Sequence, residues 1–258
     1  MDLQLHTKRA LVCGSTQGIG MATAMALATE GAQVTLLARN EEKLKKVLAT
    51  LPNQAKNHSY LVADFSDPAA LKKVLENAET SFHILINNTG GPAGGPVFDA
   101  SLDAFESAFT QHLKCNHVLV QALVPYMKTQ CFGRIINIIS TSVKQPLDGL
   151  GVSNTIRGAV ASWSKTLANE LGTYGITVNN VLPGATATER LNEIIKNKAA
   201  KTGLTIEAVG EAMKSASPAK RFAQPEEIAN AVVFLASEKA SYINGINVPV
   251  DGGRTKSL

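Results

Sequence analysis

Short apolar runs rich in β-forming residues alternate with longer segments of helical periodicity along most of this chain. The runs at 84–86 and 135–139 are almost continuously apolar, which is typical of parallel strands buried on both faces. Because parallel neighbours need crossover connections, the alternation predicts repeated βα units in a doubly wound α/β fold with helices on both faces of the sheet. The predicted strands are 9–13, 33–37, 59–63, 83–87, 134–139 and 177–182, and the predicted helices are 18–30, 41–51, 68–76, 101–128 and 150–174. Gly31 and Gly172 are expected to end helices, and Pro68 to start one.

Composition places the chain among ordinary folded proteins and excludes several functional classes. A length of 258 residues is within the range of one α/β domain. The net charge is +4 and aromatic residues make up only 5%, which disfavours nucleic-acid binding through a basic, stacking-rich surface. The sequence also lacks the apolar run of about 18 residues that a membrane span needs. We therefore expect a protein that acts on a small molecule, with no nucleic-acid or membrane partner.

The cysteines and histidines carry information about compartment and metal chemistry. Cys13, Cys115 and Cys131 are an odd number of widely separated thiols, which is not a disulfide framework and fits a reducing cytoplasm. The first ten residues have no apolar segment or cleavage site of an export signal. Histidines do not cluster with cysteines or acids, so we expect no metal site.

The first predicted strand runs directly into a glycine-rich turn that opens an amphipathic helix. Glycines permit a tight turn and close approach to a pyrophosphate, whose charge is favoured by the free N–H groups at the start of the helix. The spacing is G-x-x-x-G-x-G, and by itself it is also compatible with an ordinary βα turn. In its strand–turn–helix context we predict a dinucleotide site. The predicted contacts in this turn are Gly14, Ser15, Thr16, Gln17, Gly18, Ile19 and Gly20.

Further cofactor contacts are expected where the next strands end. The second strand ends before Arg39, where no acidic residue is present to hold a ribose 2′-hydroxyl. Arg39 can instead bind a 2′-phosphate, so NADP(H) is favoured over NAD(H), although Arg39 as a solvated surface residue is the alternative. The other predicted contacts are Asp64, which can accept the adenine amino group, with Phe65, Asn88 and Gly90.

Several motifs together resemble the short-chain dehydrogenase/reductase family over essentially the whole chain, and 3-oxoacyl-carrier-protein reductases most of all. They are the three turn glycines, Asn87-Asn88-Thr89-Gly90 with Thr89 replacing alanine, Pro183-Gly184, Pro225-Glu226-Glu227-Ile228-Ala229 and Asp251-Gly252-Gly253. The resemblance implies one Rossmann-like domain over 1–258 with about seven strands, a nicotinamide cofactor, and hydride transfer to or from a carbonyl. It also implies homodimers or homotetramers built through the two long helices. In this reading Pro183, Gly184, Thr186 and Thr188 also contact the cofactor.

The residues that match the family's catalytic positions depart from its pattern of asparagine, serine, tyrosine and lysine. Ser140 matches the serine, but Ser153 occupies the tyrosine position and Arg157 the lysine position. Counting back from 121–125 places His112 at the asparagine position, and a shift of one helical turn would nominate Asn116 instead. The predicted catalytic set is therefore Ser140, Ser153, Arg157 and His112, with Arg157 also contacting the cofactor.

These replacements change the available chemistry. Serine is a far weaker acid than tyrosine, and an arginine with a pKa above about 12 holds its charge without relaying a proton. Lys144, Asp148 or a water relay are candidate replacement donors, and His112 is a further one if it titrates near neutrality. The sequence therefore supports two functions: an NADP(H)-dependent oxidoreductase with a nonstandard proton donor, or a dinucleotide-binding pseudoenzyme that acts as a sensor or oligomer partner.

The family resemblance implies that the segment 185–222 covers the substrate. Its helical part, 190–221, carries a surplus of four positive charges, which would attract an anionic carrier such as a phosphopantetheine thioester. A solvated helical face is the alternative. Across the cleft, the loop 90–96 is rich in glycine and proline. Its small residues indicate that a substrate can reach the nicotinamide, but they do not identify that substrate.

Overall fold

One parallel sheet of seven strands forms the centre of the protein in a computed structural model that describes residues 1–257. The strand order is β3-β2-β1-β4-β5-β6-β7, and every neighbouring pair is parallel. The predicted doubly wound, Rossmann-like α/β fold is therefore confirmed. The strands are β1 Arg9–Cys13, β2 Gln33–Ala38, β3 Ser59–Val62, β4 Ile84–Asn87, β5 Gly133–Ile138, β6 Ile176–Pro183 and β7 Asn247–Val250.

Nine α-helices accompany the strands within the described residues. Leu27 and Leu44, together with Val232, pack on one face of the sheet, whereas Leu71, Leu119 and Ala168 pack on the other. This two-sided burial explains why the strands read as continuous apolar runs. The helices are α1 Gly18–Thr29, α2 Glu41–Thr50, α3 Pro68–Glu76, α4 Leu102–Phe109, α5 Cys115–Thr129, α6 Gly151–Leu171, α7 Glu189–Thr202, α8 Ile206–Ser215 and α9 Pro225–Ala236. None of the helices in residues 1–257 is long and apolar enough to cross a bilayer.

Two long predicted helices differ in detail from the structure. The segment 101–128 is interrupted by a π-helical turn, Thr110–Lys114, between α4 and α5. The helix predicted over 150–174 ends at Leu171, and a 3-10 turn follows it. Gly172 follows Leu171 as the cap of this helix, as predicted, with a right-handed backbone at φ −56°. The left-handed glycine is Gly175, at φ +71°, which ends the 3-10 turn and has no room for a Cβ beside the Cys131 carbonyl. Gly31, at φ +87°, and Pro68 do mark a helix end and a helix start.

The chain changes direction across the sheet between β1 and β4. After β1 it builds β2 and β3 on one side, then returns to place β4 on the other side. The carboxyl ends of β1 and β4 thus open onto a crevice, which is where open α/β sheets bind ligands. Both the glycine turn and the Asn88–Gly90 segment follow these two strand ends.

Candidate active site

The glycine turn after β1 is closed by Asn88 from the end of β4. The Asn88 amide donates to the carbonyls of Cys13 and Gly14, at 3.3 and 3.2 Å. Gly14 has φ +59°, and a Cβ there would lie 2.5 Å from the Asn88 carbonyl oxygen. A Cβ on Gly20 would strike the Gly14 carbonyl oxygen. The turn therefore has no room for side chains at these two positions, which explains both glycines.

The start of α1 is open to an anion. Gln17, the residue before the helix, is extended, its side chain caps no N–H group, and the first turn contains no acidic residue. Unpaired N–H groups and the positive end of the helix dipole fit a pyrophosphate. Thr188, from the loop after β6, lies close to the same turn. A Cβ built on Gly18 would be only 3.1 Å from the methyl carbon of Thr188. The residues present therefore fit a dinucleotide cofactor.

Two of the residues predicted to contact the cofactor in this turn have side chains that pack inside the protein. Ser15 is fully buried, and its hydroxyl accepts a hydrogen bond of 3.1 Å from the Leu37 backbone N–H. Ile19 packs against the core beneath α1. Ser15 and Ile19 thus position the turn, and only their backbone groups remain for a ligand, whereas Gln17 is exposed and Thr16 half-buried.

The residues predicted to hold the adenosine lie at the ends of β2 and β3. Arg39 is exposed, and no carboxylate of residues 1–257 forms an ion pair with it. The Asp64 carboxylate accepts a hydrogen bond of 2.9 Å from the Ser66 N–H, which lowers the pKa of Asp64, and the charge of Arg39 lowers it further. The Phe65 carbonyl accepts a hydrogen bond from the Cys115 thiol. An ionised acceptor and a free guanidinium therefore flank this end of the crevice.

The loop after β6 approaches from the other side. Pro183 is the last residue of β6, and the Gly184 N–H donates to the Val250 carbonyl at 2.9 Å. The hydroxyl of Thr186 donates to the Gly184 carbonyl at 3.1 Å. Thr188 accepts a hydrogen bond from the Leu191 N–H at 3.3 Å and begins α7. These contacts order the loop between β6 and α7.

Ser140, Ser153 and Arg157 lie beyond the carboxyl end of β5. Ser140 begins a short 3-10 turn, and its hydroxyl accepts a hydrogen bond of 3.1 Å from the Ser142 N–H. Ser153 is half-buried in the first turn of α6, and its hydroxyl has no hydrogen-bond partner in residues 1–257. Arg157 follows one turn later on the same face of α6, because residues four apart on a helix are neighbours.

Arg157 is the most deeply buried charge in this group, with 7% of its surface exposed. Its Nη1 donates to the Ile138 carbonyl at 3.0 Å and its Nη2 to the Thr89 carbonyl at 3.5 Å. Burial lowers the pKa of Arg157 to about 10, so the side chain remains charged at neutral pH. The guanidinium thus bridges the ends of β4 and β5.

His112 contacts Thr89 from the π-helical turn between α4 and α5. Its Nδ1 lies 2.5 Å from the Thr89 hydroxyl, and its Nε2 is buried without a partner in residues 1–257. The expectation that His112 titrates near neutrality is wrong: burial, with a smaller effect from the charge of Arg157, lowers its pKa to about 2. The alternative, Asn116, lies one turn further along, where its side-chain oxygen is buried and unpaired.

The contact between Thr89 and His112 was not foreseen from the sequence. Both residues depart from the family pattern, Thr89 from its alanine and His112 from its asparagine, and Arg157 departs from its lysine. The structure brings the three together, because Arg157 bonds the Thr89 carbonyl and His112 bonds the Thr89 hydroxyl. The sequence did contain a signal for this contact, because three positions of the same family pattern are replaced together.

The loop candidates for proton donation lie outside this cluster. Lys144 and Asp148 are both exposed in the loop between Ser140 and Ser153. Neither side chain forms a hydrogen bond or an ion pair within residues 1–257. They therefore have the features of solvated loop residues.

The sheet beneath the site contains a row of four asparagines, three of them buried, that sequence reasoning missed. Asn87 donates to Asn137 at 2.8 Å, Asn137 to Asn180 at 3.0 Å, and Asn180 to Asn247 at 2.9 Å. These residues are register partners on β4, β5, β6 and β7. Asn87 and Asn137 lie near the carboxyl ends of their strands, Asn180 in the middle of β6 and Asn247 at the start of β7. Side-chain hydrogen bonds between neighbouring strands favour one arrangement, so the row helps to fix the register of these four strands. Asparagines in three successive predicted strands, at 87, 137 and 180, were the sequence signal.

The segment 185–222 folds into α7 and α8 with a small apolar cluster of its own, Leu191, Ile195, Ala199 and Val209. Arg190 connects it to the opposite loop, since its Nη2 donates to the carbonyls of Gly91 and Pro92 at 3.3 and 2.9 Å. Lys196, Lys198 and Lys201 are exposed without an ion pair in residues 1–257. A positive, structured segment thus reaches across the cleft.

Comparison with known proteins decides the family. Residues 14–255 match a family model described as Enoyl-(Acyl carrier protein) reductase. The chain is 31% identical over 258 positions to "Dehydrogenase/reductase SDR family member 4" of Sus scrofa, which covers 98% of this chain and 89% of the relative. The chain belongs to the short-chain dehydrogenase/reductase family.

Other members of the short-chain dehydrogenase/reductase family are similar over their full length. "NADPH-dependent reductase BacG" of Bacillus subtilis is 30% identical over 259 positions, with 98% of this chain and 100% of the relative covered. The crystal structure of L-sorbose reductase from Gluconobacter frateurii, complexed with NADPH and L-sorbose, superposes with a TM-score of 0.92 at 32% identity and covers 100% of both chains. In this short-chain dehydrogenase/reductase chain, no group of three or more potential metal ligands comes together within residues 1–257.

Proposed function

We propose that the protein is an NADP(H)-dependent oxidoreductase that transfers a hydride between the nicotinamide and a carbonyl or alcohol substrate. The observation that carries the proposal is the glycine turn, in which Asn88 closes a cradle that side chains would fill and α1 begins without a cap. That BacG and L-sorbose reductase are named with NADPH supports the same cofactor here. Exposed Arg39, free of an ion pair within residues 1–257, favours a 2′-phosphate over the 2′-hydroxyl of NAD(H).

The protein's own residues divide the work at the reacting carbonyl. When bound, the nicotinamide cofactor supplies or accepts the hydride. Ser140, beyond the end of β5, donates a hydrogen bond to the carbonyl oxygen, and the charge of Arg157 favours the negative charge that develops on that oxygen. Arg157 also holds the cofactor's ribose, as the lysine does in the family pattern.

The proton comes from water in this proposal. Ser153 is half-buried and too weak an acid to replace a tyrosine, and His112 is neutral and buried. Water that enters beside Ser153 donates its proton to the substrate oxygen and leaves as hydroxide. Losing a positioned general acid costs about 10²–10⁴ in rate, so we expect slow turnover.

A second candidate function, a dinucleotide-binding pseudoenzyme, is favoured by the absence of the tyrosine and lysine. Against it stand the contacts among Thr89, His112 and Arg157, because independent loss of function gives no reason for three replaced residues to bond one another. Turnover separates the two functions.

The remaining partners follow from the same proposal. We expect a homodimer or homotetramer in the cytoplasm, with 185–222 as the segment that covers a small-molecule substrate. Support for an assembly comes from Phe98 and Leu102, large apolar side chains exposed beside α4. Support for a reducing compartment comes from three free cysteines, two of them buried. Light scattering measures the assembly.

The test is carbonyl-dependent oxidation of NADPH across ketones, aldehydes, quinones and 3-oxoacyl thioesters. We expect slow, saturable turnover with at least one class and its loss in Ser140→Ala, while NADPH binding is retained. Turnover that survives Ser140→Ala would remove Ser140 from the mechanism. Tight NADPH binding with no turnover in the native protein would favour the pseudoenzyme.

A further inference from the structure

The positive charge of Arg157 is compensated less well than that of the other deeply buried arginine. Arg134 forms hydrogen bonds to the Ser237, Gly133 and Gly175 carbonyls, and its guanidinium lies 4.2 Å from the centre of the Phe132 ring. The carboxylate of Glu238 also acts on it electrostatically and raises its pKa against the effect of burial. Arg134 is therefore compensated by three hydrogen bonds, an aromatic ring and the charge of a carboxylate.

Arg157 has fewer hydrogen bonds than Arg134, and no carboxylate acts on its charge. It has two carbonyl acceptors, one of them at 3.5 Å, and no Asp or Glu of residues 1–257 forms an ion pair with it. A guanidinium has five N–H donors, so about three are left without a protein partner. A buried charge without a counter-ion is costly, and native proteins retain one where a ligand compensates it.

The replacement at position 153 determines how a ligand reaches Arg157. Ser153 precedes Arg157 by one turn on the same face of α6, and the family pattern places a tyrosine ring there. A serine is shorter by the whole ring, so its side chain does not fill the space that a tyrosine ring would take on this face, and Ser153 is only half-buried. On the opposite side Gly91 lacks a side chain, and a Cβ there would begin 3.9 Å from Nη2 of Arg157.

The groups around this approach do not repel an anion. Thr89, Ser140 and Ser153 are neutral hydroxyls, and His112 is uncharged. At the rim, Arg190 of α7 donates to the carbonyls of Gly91 and Pro92, and its charge is paired with Glu193 at 3.4 Å. The approach to Arg157 therefore combines one buried cation without a counter-ion, several neutral hydroxyls and a charge-paired rim.

We infer that the substrate carries a carboxylate next to its reactive carbonyl, and that this carboxylate enters past Ser153 and pairs with Arg157. The inference rests on the proposed function for the position of the carbonyl at Ser140. A planar guanidinium fork matches a carboxylate in two parallel hydrogen bonds, which selects a carboxylate over a neutral ester or amide. The substrate class is thus 2-oxo or 3-oxo acids, or the corresponding hydroxy acids in the oxidative direction.

The primary test is calorimetric binding of linear 2-oxo and 3-oxo acids of increasing chain length, and of their methyl esters, to the NADP⁺-saturated protein. A charge-assisted pair predicts that at least one acid binds about ten- to a hundredfold more tightly than its ester. Equal affinities of acid and ester, or no detectable binding of any acid, overturn the inference.

Three variants localise the effect. Arg157→Gln keeps amide donors without the charge, and it should reduce the preference for acid over ester to about one. Ser153→Tyr restores the ring, and it should weaken binding of the acid about tenfold or more while leaving the NADP⁺ affinity unchanged. The matched control is Ser153→Ala, which keeps the approach open and should preserve the acid preference. An acid preference that survives in both Arg157→Gln and Ser153→Tyr would exclude this site.

Failure of this inference is distinguishable from failure of the proposed function. If NADPH is oxidised with neutral ketones and esters as readily as with acids, the oxidoreductase stands and the carboxylate assignment falls. If acids bind through Arg157 without turnover, the binding site stands and the reductase assignment falls.

Discussion

The two ends of the crevice obey the family pattern to different degrees. At the cofactor end, Gly14, Gly20 and Asn88 form a backbone arrangement that tolerates no side chain on either glycine. At the catalytic end, Thr89, His112, Ser153 and Arg157 all depart from the pattern, and three of them are in contact. The difference teaches that one fold can keep its dinucleotide cradle while the side chains that perform the chemistry are replaced as a group.

The largest expected effect is at the cofactor end, in Gly20→Ala. The new methyl group would meet the Gly14 carbonyl and lie 2.6 Å from the Asn88 amide nitrogen, and the backbone at that point cannot yield. We expect NADPH affinity to fall at least about a hundredfold, together with a loss of about 1–3 kcal/mol in the free energy of unfolding. Fluorescence titration and urea denaturation measure the two effects.

The matched control is Gly210→Ala in α8, where a Cβ would meet nothing within 4 Å. This change should leave NADPH affinity intact and raise the free energy of unfolding by up to about 1 kcal/mol, because alanine favours a helix over glycine. If both variants retain NADPH binding, the cradle is not the cofactor site.

An intermediate effect is expected at Arg39. Arg39→Asp replaces a free guanidinium by a carboxylate that repels a 2′-phosphate, so the preference for NADPH over NADH should fall about ten- to a hundredfold. Competition titrations with the two cofactors measure the ratio. Lys46→Asp, an identical charge change at an exposed site of α2, should leave it unchanged; an unchanged ratio in Arg39→Asp removes Arg39 from the cofactor site.

The smallest expected effect near neutral pH is the pH dependence of stability at the catalytic end, which grows as the pH falls. The pKa of His112 falls from 6.5 to about 2 in the folded protein, so below pH 6.5 the unfolded chain takes up a proton that the folded protein does not. Stability is therefore present above pH 6.5 and is lost as the pH falls, by about 1.4 kcal/mol per pH unit for this residue. His83, with a pKa of about 4, adds a second such loss that ends near pH 4.

His112→Asn, which introduces the residue of the family pattern, should remove the contribution of His112. Denaturation midpoints measured from pH 7 to below pH 4 separate it from that of His83. Identical pH dependence in native protein and variant would mean that His112 is not held neutral in the folded state.

Features set by the backbone were predictable from the sequence, whereas features set by contacts between side chains were not. The parallel strands and the glycine turn follow from apolar runs and from glycines at strand ends, and they are present as predicted. The charge state of His112 depends on its burial against Thr89 and Arg157, residues brought near it only by the fold. The need for a glycine at position 175 likewise arises from the Cys131 carbonyl, which comes from a distant part of the chain and leaves no room for a Cβ.

The central claim is that the replaced residues form a working site rather than the remains of one. The most direct test compares NADPH oxidation by the native protein and by Ser153→Tyr/Arg157→Lys on the same carbonyl panel, with the oxo acids included. The account predicts measurable native turnover with an oxo acid and a loss of about tenfold or more in kcat/KM for that acid in the double variant. An inert native protein, together with a double variant that gains activity, would contradict it.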